Sequence, residues 1–359
     1  MKIIKETYFQ RQTTLSEIGK DGQELLQKAK VLVIGCGGLG SPIAIYLATS
    51  GIGALHLVDF DTVSVSNLHR QVFFKTEHLK KSKSQILSEE IKKRAPFTQV
   101  SFSNKAVDKS SILELIEKFE VIVDGTDNLQ VKYLINDACV IAKKPLVYGS
   151  LYKFDGYVSI FNVLQENGEY SCNLRDAFPK IASDIPNCEE AGTLNPIVGI
   201  IALLQVNEVI KLITKTGELL CNQLLIYNTL KNAQFKIKLK KNTQLNIGDI
   251  FNKSTYLDES CEVQKEEYLI TSSQLKERLG SENLEIVSVI NNVTAEVPFL
   301  VHQKIPLKQF NVDKFKPDLK KAYVVVCNKG ISSYGVTLKI KKKYPELRVL
   351  SLAEGIEKY

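Results

Sequence analysis

Glycines cluster in one short segment of the N-terminal part of the chain. The segment Val31-Leu-Val-Ile-Gly35-Cys-Gly37-Gly38-Leu-Gly40-Ser41 places an apolar run before the glycines and a helix-like stretch after them. Glycines let a backbone approach phosphate groups closely, and amide groups at a helix N-terminus favour phosphate charge. Gly35, Gly37, Gly38 and Gly40 are therefore candidate nucleotide-binding residues. The same glycines would also suit a tight strand-to-helix turn that binds nothing.

Charged residues further along the chain favour ATP over NAD. Asp59 ends the next predicted strand, where a ribose-binding carboxylate belongs in folds of this kind. It is followed by Ser66-Asn67-Leu-His-Arg70-Gln71, by Lys83 and by Asp124-Gly-Thr126-Asp127-Asn128. Two cations and a strand-end aspartate suit a triphosphate with magnesium better than a dinucleotide. An NAD-dependent oxidoreductase, which rests on the glycine loop alone, is the competing enzyme hypothesis.

In this order, the segments resemble those of the ThiF/MoeB/HesA family, bacterial relatives of ubiquitin-activating enzymes that serve thiamine and molybdopterin biosynthesis. The resemblance runs from about Tyr8 to Lys240 and includes Tyr8-Phe-Gln-Arg11-Gln12 and Asn187-Cys188-Glu-Glu-Ala-Gly192. It implies ATP-dependent adenylation of the C-terminal glycine carboxylate of a ubiquitin-like sulfur-carrier protein.

The resemblance also implies roles for single residues. Asp59 would hold the ribose, Asn67, Arg70 and Lys83 the phosphates, and Asp127 a magnesium ion. Arg11 would reach across a two-fold axis into the partner's site, which implies a homodimer. Simpler interpretations exist: Arg70 and Lys83 as surface cations, and Asp127 as the cap of a helix beginning near Leu129.

Adenylation of a carboxylate requires that the reactants are positioned and that phosphate charge is offset, and it requires no general base. A free C-terminal carboxyl group has a pKa of about 3.3–3.7, so it is already an ionised nucleophile at neutral pH. Arg70, Lys83 and magnesium would offset the charge on the α-phosphate and on departing pyrophosphate. His69, although next to Arg70, is interpreted as a packing or surface residue.

Two cysteines are candidates for a sulfur-handling step. Cys188 aligns with a family cysteine that can link to the carrier, but Glu189 and Glu190 beside it disfavour a thiolate. Cys327 ends the predicted strand Tyr323–Val326 and precedes Asn328-Lys329-Gly330-Ile331-Ser332-Ser333 and a helix. A helix N-terminus and a nearby lysine would stabilise anionic sulfur there. We therefore expect Cys327, more than Cys188, to carry sulfur.

Around Cys327, the chain from Glu267 to Tyr359 resembles a rhodanese-like sulfurtransferase domain. Ile305-Pro306-Leu307 and Gly355-Ile356 carry this resemblance, whereas Ser288-Val289-Ile290 stands where rhodaneses usually have Asp-Val-Arg. The domain is interpreted either as an active persulfide carrier, fed by a donor such as a cysteine desulfurase, or as a degenerate, inert domain.

Zinc is not expected, although many relatives bind it through two Cys-x-x-Cys pairs. Cys172 is followed by Asn173, Leu174 and Arg175, and no pair follows Lys240. At most one of the four ligands of a closed zinc site is left. Cys36, Cys139, Cys221 and Cys261 have no motif around them and are interpreted as buried or incidental thiols.

Alternating short apolar runs and amphipathic stretches from Lys30 onwards predict βαβ units in an α/β fold, a Rossmann-like mixed sheet with flanking helices. Strands are predicted at Val31–Ile34, Ala54–Val58, Val100–Ser103, Val121–Val123, Leu146–Tyr148, Gly156–Phe161 and Leu224–Tyr227. Helices are predicted near Ser41, Lys83, Ser111 and Leu129 and at Pro196–Leu212. We expect an ATP-binding domain at 1–245, a linker at 246–264 and a smaller α/β rhodanese-like domain at 265–359.

Composition excludes some classes of protein. The chain has 359 residues with 44% hydrophobic and 24% charged residues, which is typical of about two globular domains. The longest apolar run, Ile197–Leu204, is shorter than the roughly 20 residues of a membrane span.

Seven cysteines without paired spacing predict free thiols and a cytoplasmic, reducing location. The net charge of +7 comes from dispersed lysines, so an acidic protein partner is as compatible as nucleic acid, and we expect no nucleic acid partner.

Two other functions remain as alternatives to adenylation of a sulfur carrier. An inactive homologue that binds a carrier protein without turnover is one, although intact Arg70 and Asp127 argue against it. Dehydration of a modified tRNA base through adenylation is the other, although the appended rhodanese-like domain favours sulfur transfer.

Overall fold

The computed structural model describes residues 3–179, 192–256, 266–281, 283–292, 294, 296–328 and 330–359. The chain divides into two compact units, Met1–Tyr256 and Leu257–Tyr359.

The described strands of the first unit form an eight-stranded mixed sheet in the order β3-β2-β1-β4-β5-β6-β7-β8. They are β1 Lys30–Ile34, β2 Ala54–Val58, β3 Gln99–Ser103, β4 Val121–Asp124, β5 Leu146–Tyr152, β6 Asp155–Phe161, β7 Gln223–Asn228 and β8 Ala233–Lys238. The strands β3, β2, β1, β4 and β5 are parallel, and β6 to β8 continue the sheet antiparallel. The predicted Rossmann-like mixed sheet is confirmed; strand β8 was not predicted.

Helices cover both faces of this sheet. They are α1 Lys5–Tyr8, α2 Gln10–Thr13, α3 Gly19–Lys28, α4 Gly40–Thr49, α5 Lys83–Arg94, α6 Ile112–Glu117, α7 Leu129–Ile141, α8 Leu174–Ala177, α9 Asn195–Thr214 and α10 Ile247–Lys253. In β1, Val31 and Val33 join one buried cluster while Leu32 and Ile34 join the other. Because side chains alternate along a strand, the apolar residues 31–34 of this strand are buried on both faces of the sheet.

Helix α9 is long and apolar enough to cross a membrane by length and composition alone. The apolar run Ile197–Leu204, which is too short to span a membrane, is therefore only part of a longer apolar helix. In the structure, half of its most apolar window is buried, and its Ile197 and Ile201 belong to the core of the first unit. Gln205 and Glu208, both buried, hydrogen bond to backbone groups of other elements. These features are those of a core helix.

The first unit extends beyond the predicted boundary at residue 245. Helix α10 lies in the segment that was predicted to be a linker, and its cap Asn246 accepts a hydrogen bond from the Asp249 N–H at 3.1 Å. Phe251 and Tyr256 are buried in the core cluster that also contains residues of α7. The polar, turn-rich composition of residues 246–256 predicted a linker, but the burial of Phe251 and Tyr256 stabilises the packing of this segment on the first unit.

The second unit contains a five-stranded parallel sheet in the order β11-β10-β12-β13-β9. Its elements are β9 Leu269–Ile270, α11 Ser272–Arg278, β10 Leu284–Ser288, β11 Gln303–Lys304, β12 Ala322–Val326, α12 Ile331–Lys343 and β13 Arg348–Leu352. Tyr323 and Val325 of β12 pack in one cluster, and Val324 and Val326 pack in the other. The predicted second, smaller α/β unit is therefore present.

A buried ion pair ties three distant parts of the first unit together. The Arg175 guanidinium donates to both carboxylate oxygens of Asp137, with Nε–Oδ1 at 2.8 Å and Nη2–Oδ2 at 2.6 Å. The Tyr256 hydroxyl donates to the same carboxylate. Burial is the main cause that raises the pKa of Tyr256, and the hydrogen bond to Asp137 raises it further. This phenol therefore stays protonated. One fully buried carboxylate on α7 thus holds both α8 and the end of the unit.

We expect Asp137→Asn to destabilise the first unit by about 3–5 kcal/mol, because it leaves the Arg175 charge buried without its counterion. Hydrogen exchange followed by mass spectrometry in urea resolves the peptides of the first unit and measures this loss. Lys118→Ala, which removes the exposed ion pair with Glu114, is the control and should change nothing measurable. Wild-type protection in Asp137→Asn would show that the pair is dispensable.

Candidate active site

The glycine loop lies between β1 and α4 and rests on a second loop that follows β4. A Cβ atom on Gly35, whose φ is +89°, would lie 2.7 Å from the Gly125 carbonyl carbon. A Cβ atom on Gly40 would lie 1.7 Å from the Gly35 oxygen. Gly35 and Gly40 must therefore be glycine because two backbones touch at these positions.

The other two glycines of the loop have different surroundings. A Cβ atom on Gly38 would lie 2.8 Å from the Val198 side chain of α9. At Gly37 the nearest heavy atom would be Gln71 Nε2, at 3.4 Å. Gly37 is thus the glycine of this loop that no backbone or apolar side chain crowds, and it is where a ligand can approach the backbone.

Asp59 joins the end of β2 to the glycine loop. Its Oδ2 accepts a hydrogen bond from the Cys36 N–H at 2.6 Å, and its Oδ1 accepts one from the Asp61 N–H at 2.7 Å. Burial raises the pKa of Asp59, while Lys83 and the two N–H donors act in the opposite direction. The carboxylate is therefore placed beside the loop at an electrostatic cost, as is typical of binding sites.

Lys83 begins α5 and is buried beside these carboxylates. Its Nζ lies 2.9 Å from Asp61 Oδ2, and its side chain is 6% exposed whereas that of Asp61 is 51% exposed. The alternative interpretation of Lys83 as an ordinary surface cation is therefore wrong. The sequence predicts no role for Asp61, because an exposed aspartate three residues after a strand carries no local signal.

The segment after β2 contains Asn67, Arg70 and Gln71, and it places the Gln71 side chain beside Gly37 of the loop. Asn67 is buried at the end of the short 3-10 helix Val65–Asn67, and its carbonyl accepts the Gln71 N–H at 2.9 Å. The Arg70 Nη1 donates to the Ser66 carbonyl at 2.9 Å and lies 3.1 Å from Nε2 of His69, which is exposed. Gln71 is 4% exposed, and its Oε1 has no hydrogen-bond partner among the described residues.

Asp127 lies in the loop between β4 and α7, next to the glycine loop. Asn128 caps α7 by accepting the Val131 N–H at 3.1 Å, so the alternative interpretation of Asp127 as the cap is wrong. Asp127 is exposed. Its loop is held by Asp124, whose Oδ1 accepts from the Thr126 N–H at 2.9 Å and from the Thr126 hydroxyl at 2.7 Å.

Lys132, for which the sequence predicts no role, supports this loop from the interior of the unit. Its Nζ lies 2.9 Å from Asp124 Oδ2 and 2.7 Å from the Gly149 carbonyl oxygen, and both charged side chains are fully or almost fully buried. In the sequence, a lysine early in an amphipathic helix is indistinguishable from a solvent-exposed one. Only the packing of α7 on β4 and β5 shows that it is internal.

Arg11 lies apart from these residues within its own chain. It is exposed on α2, where the neighbouring Gln12 donates to the Ser50 carbonyl at 3.0 Å and a Cβ atom on Gly51 would meet Phe9. Those contacts are just past the C-terminal end of α4, whereas the glycine loop is at its N-terminus. A ten-residue helix separates its ends by about 15 Å. Arg11 is thus not assembled with the other site residues of the same chain.

The second unit presents Cys327 at the N-terminus of α12, as predicted. Its Sγ accepts hydrogen bonds from the Gly330 N–H at 3.1 Å and the Ser333 N–H at 3.3 Å. Ser288 ends the neighbouring β10, where its hydroxyl accepts the Ile290 N–H at 3.4 Å. Lys329 lies outside the described residues. The role of Cys327 stays a prediction.

The four other cysteines in the described part of the chain are buried or half-buried thiols. Burial raises the pKa of Cys36, Cys139, Cys172 and Cys221, that of Cys221 to about 11. Such thiols are poor nucleophiles at neutral pH. Cys188, with Glu189 and Glu190, and Cys261 lie outside the described residues.

The described ranges contain no group of three His, Cys, Asp or Glu residues that could hold a metal ion. At the position of the missing second cysteine, Arg175 forms the ion pair with Asp137. A guanidinium cannot ligate zinc, because it has no acceptor atom.

Comparisons with known proteins agree on one family. The model of the ThiF family matches residues 9–247. A probable adenylyltransferase/sulfurtransferase MoeZ of Mycobacterium tuberculosis is 33% identical over 348 residues, which cover 93% of this chain and 88% of that protein. A sulfur carrier protein adenylyltransferase of Thermus thermophilus is 35% identical over 236 residues, or 65% of this chain and 87% of that protein.

Solved structures share the fold. The crystal structure of E. coli MccB with MccA-N7isoASN has a TM-score of 0.60 and 22% identity, and the match covers 68% of this chain and 75% of that one. The structure of E. coli MccB with ATP has a TM-score of 0.54 and 24% identity, over 64% and 69% of the two chains.

We expect purified protein to contain no stoichiometric zinc, because Arg175 stands where a second cysteine ligand would be needed. Metal analysis after mild dialysis measures the content. One tightly held zinc per chain would show that residues other than two Cys-x-x-Cys pairs form a zinc site, for example Cys172 together with Cys221.

Proposed function

This chain belongs to the ThiF family, and we propose that it uses ATP to adenylate the C-terminal glycine carboxylate of a ubiquitin-like sulfur-carrier protein. One observation carries the proposal: the glycine loop, Asp59, Lys83, the segment ending at Gln71 and the loop of Asp127 meet at the carboxyl ends of β1, β2 and β4. Ligands of parallel α/β sheets bind at this edge. The named relatives are adenylyltransferases, which supports the same reaction.

The arrangement fits a nucleotide triphosphate. Asp59, at the end of β2, would accept hydrogen bonds from the ribose hydroxyls. The phosphates would lie over Gly37 at the N-terminus of α4, where amide dipoles favour negative charge. Asn67, Arg70 and Lys83 would hold their oxygens, with the phosphate sharing the Lys83 ammonium with Asp61.

The reaction then needs no proton transfer. A carboxylate oxygen of the carrier attacks the α-phosphorus, the new oxygen–phosphorus bond forms the acyl-adenylate, and the α–β anhydride bond breaks as pyrophosphate leaves. Arg70 and Lys83 stabilise the charge that moves onto the leaving group. The exposed His69 beside Arg70 is therefore not needed as a base.

Magnesium fits the loop of Asp127. An exposed carboxylate beside a phosphate site is the usual protein contribution to a magnesium ion, which takes its other ligands from phosphate oxygens and water. When bound, the ion would neutralise phosphate charge. Asp127 would hold it, and the contact of Asp124 with Thr126 would keep Asp127 in place.

A homodimer would complete the site. Arg11 is exposed on α2, at the far end of α4 from the glycine loop, so it can serve an ATP site only in a second copy of the chain. In the proposed homodimer, Arg11 reaches into the site of the partner subunit. The proposed location of the reaction is the cytoplasm.

The second unit would supply sulfur. The Cys327 thiolate attacks the outer sulfur of a donor persulfide, such as that of a cysteine desulfurase. A Cys327–sulfur bond forms, the donor's sulfur–sulfur bond breaks, and the donor leaves as a thiolate. The similarity to MoeZ covers 93% of the chain, so it extends into this unit. The carrier would serve thiamine or molybdopterin biosynthesis.

We expect Asp127→Ala to abolish carrier-dependent ATP–pyrophosphate exchange without unfolding, because its carboxylate is exposed and does not cap α7. Exchange of labelled pyrophosphate into ATP, with magnesium and the carrier, measures the activity. Asp21→Ala, which removes an exposed carboxylate on α3, is the matched control and should retain it. Undiminished exchange in folded Asp127→Ala would remove this residue from the metal role, and exchange without any carrier would sink the proposed substrate.

We expect Cys327→Ala to lose sulfur uptake and to keep adenylation, because the carboxylate attacks ATP without help from a thiol. Full-length protein is incubated with a persulfide donor, trapped by alkylation and mapped by mass spectrometry, with Cys188→Ala in parallel. Sulfur found on Cys188 alone, or uptake undisturbed in Cys327→Ala, would leave the second unit as a docking element.

A further inference from the structure

Behind Cys327, two buried serines form a chain of hydrogen bonds that ends on the backbone. Cys327 Sγ lies 3.2 Å from the Ser333 hydroxyl oxygen. That hydroxyl lies 2.9 Å from the Ser351 hydroxyl, which in turn donates to the Gly330 carbonyl at 3.5 Å. Both serines are fully buried, and Cys327 is 5% exposed. The chain joins the start of α12 to β13 underneath the sulfur.

The chain can satisfy either protonation state of the sulfur. With a thiol, Cys327 donates to Ser333, Ser333 donates to Ser351, and Ser351 donates to the Gly330 carbonyl. With a thiolate, both hydroxyls turn round: Ser351 donates to Ser333, and Ser333 donates to the sulfur. A hydroxyl is both donor and acceptor and rotates to suit, so neither state leaves a hydroxyl proton on this chain without an acceptor.

The anionic state needs this support because its surroundings are apolar. Cys327 packs in the cluster that contains Val325, Val336 and Ile340. A charge in such a setting is costly unless hydrogen bonds compensate it. The Gly330 and Ser333 N–H groups supply two donors, and the reversed chain adds a third from the Ser333 hydroxyl, whose orientation Ser351 fixes.

We propose that Ser333 and Ser351 are positioning residues that stabilise anionic sulfur at Cys327, Ser333 directly and Ser351 through Ser333. The proposal rests on the sulfur transfer proposed above, in which the same anion attacks the donor persulfide.

Packing alone does not require a partner for every hydroxyl in this part of the unit. Thr337, one turn after Ser333 on α12, is fully buried, and its hydroxyl has no hydrogen-bond partner among the described residues. Thr337→Val removes that hydroxyl at nearly constant volume, so it is a matched control for Ser333→Ala and Ser351→Ala.

The test measures the alkylation rate of Cys327 against pH in the full-length protein, peptide by peptide, by mass spectrometry. Because a hydrogen bond to the charged form favours that form, Ser333→Ala should shift the midpoint of this profile upward by roughly one to two pH units. Ser351→Ala should shift it in the same direction by less. Thr337→Val should leave it unchanged.

Sulfur uptake from the persulfide donor is measured on the same variants. Slower uptake in Ser333→Ala and Ser351→Ala, recovered at higher pH, would support the proposal. Unshifted profiles in both folded variants, or an equal shift in Thr337→Val, would overturn it. Wild-type protein that takes up no sulfur, while the profiles of the serine variants still shift, would sink sulfur transfer and leave the hydroxyl chain standing.

Discussion

The contact between two loop backbones, at Gly35, Gly40 and Gly125, is the constraint on which the candidate ATP site depends. It sets the loop after β1 directly against the loop after β4, with no space for a side chain between them. The Gly35 N–H also donates to the Val58 carbonyl and the Gly125 N–H to the Ile34 carbonyl, each at 2.8 Å. The ends of β1, β2 and β4 are thereby held in one place, and the polar residues that follow them meet there.

Around this contact, an aspartate at a strand end and another shortly after a strand pair with lysines of the succeeding helices, in two different ways. Lys83 reaches the half-exposed Asp61, where a ligand oxygen can join the same ammonium group. Lys132 reaches Asp124 in the interior, where the pair orders the loop and is closed to solvent. In the proposed site, the same residue types would thus bind a ligand in one case and position a loop in the other, and the exposure of the aspartate decides which.

The two units meet their chemical demands with different means. The first has cations that suit the proposed adenylation, in which negative charge develops on the departing pyrophosphate. The second holds one sulfur in an apolar cluster with backbone N–H groups and a reversible pair of hydroxyls. At Arg175, a buried ion pair with Asp137 lies where many relatives are expected to hold zinc, and it ties α8 to the end of the first unit.

The sequence by itself determined the α/β class, nearly all the strands of the first sheet, the glycine loop and the thiol at the start of α12, because hydrophobic period and loop composition are local signals. The end of the first unit was misplaced, since Phe251 and Tyr256 are single anchors in polar sequence. The partners Lys132 for Asp124, Arg175 for Asp137 and Ser351 for Ser333 appear only in the tertiary structure. Each pair joins residues from different elements, and whether a charge or hydroxyl is exposed or buried depends on what packs over it.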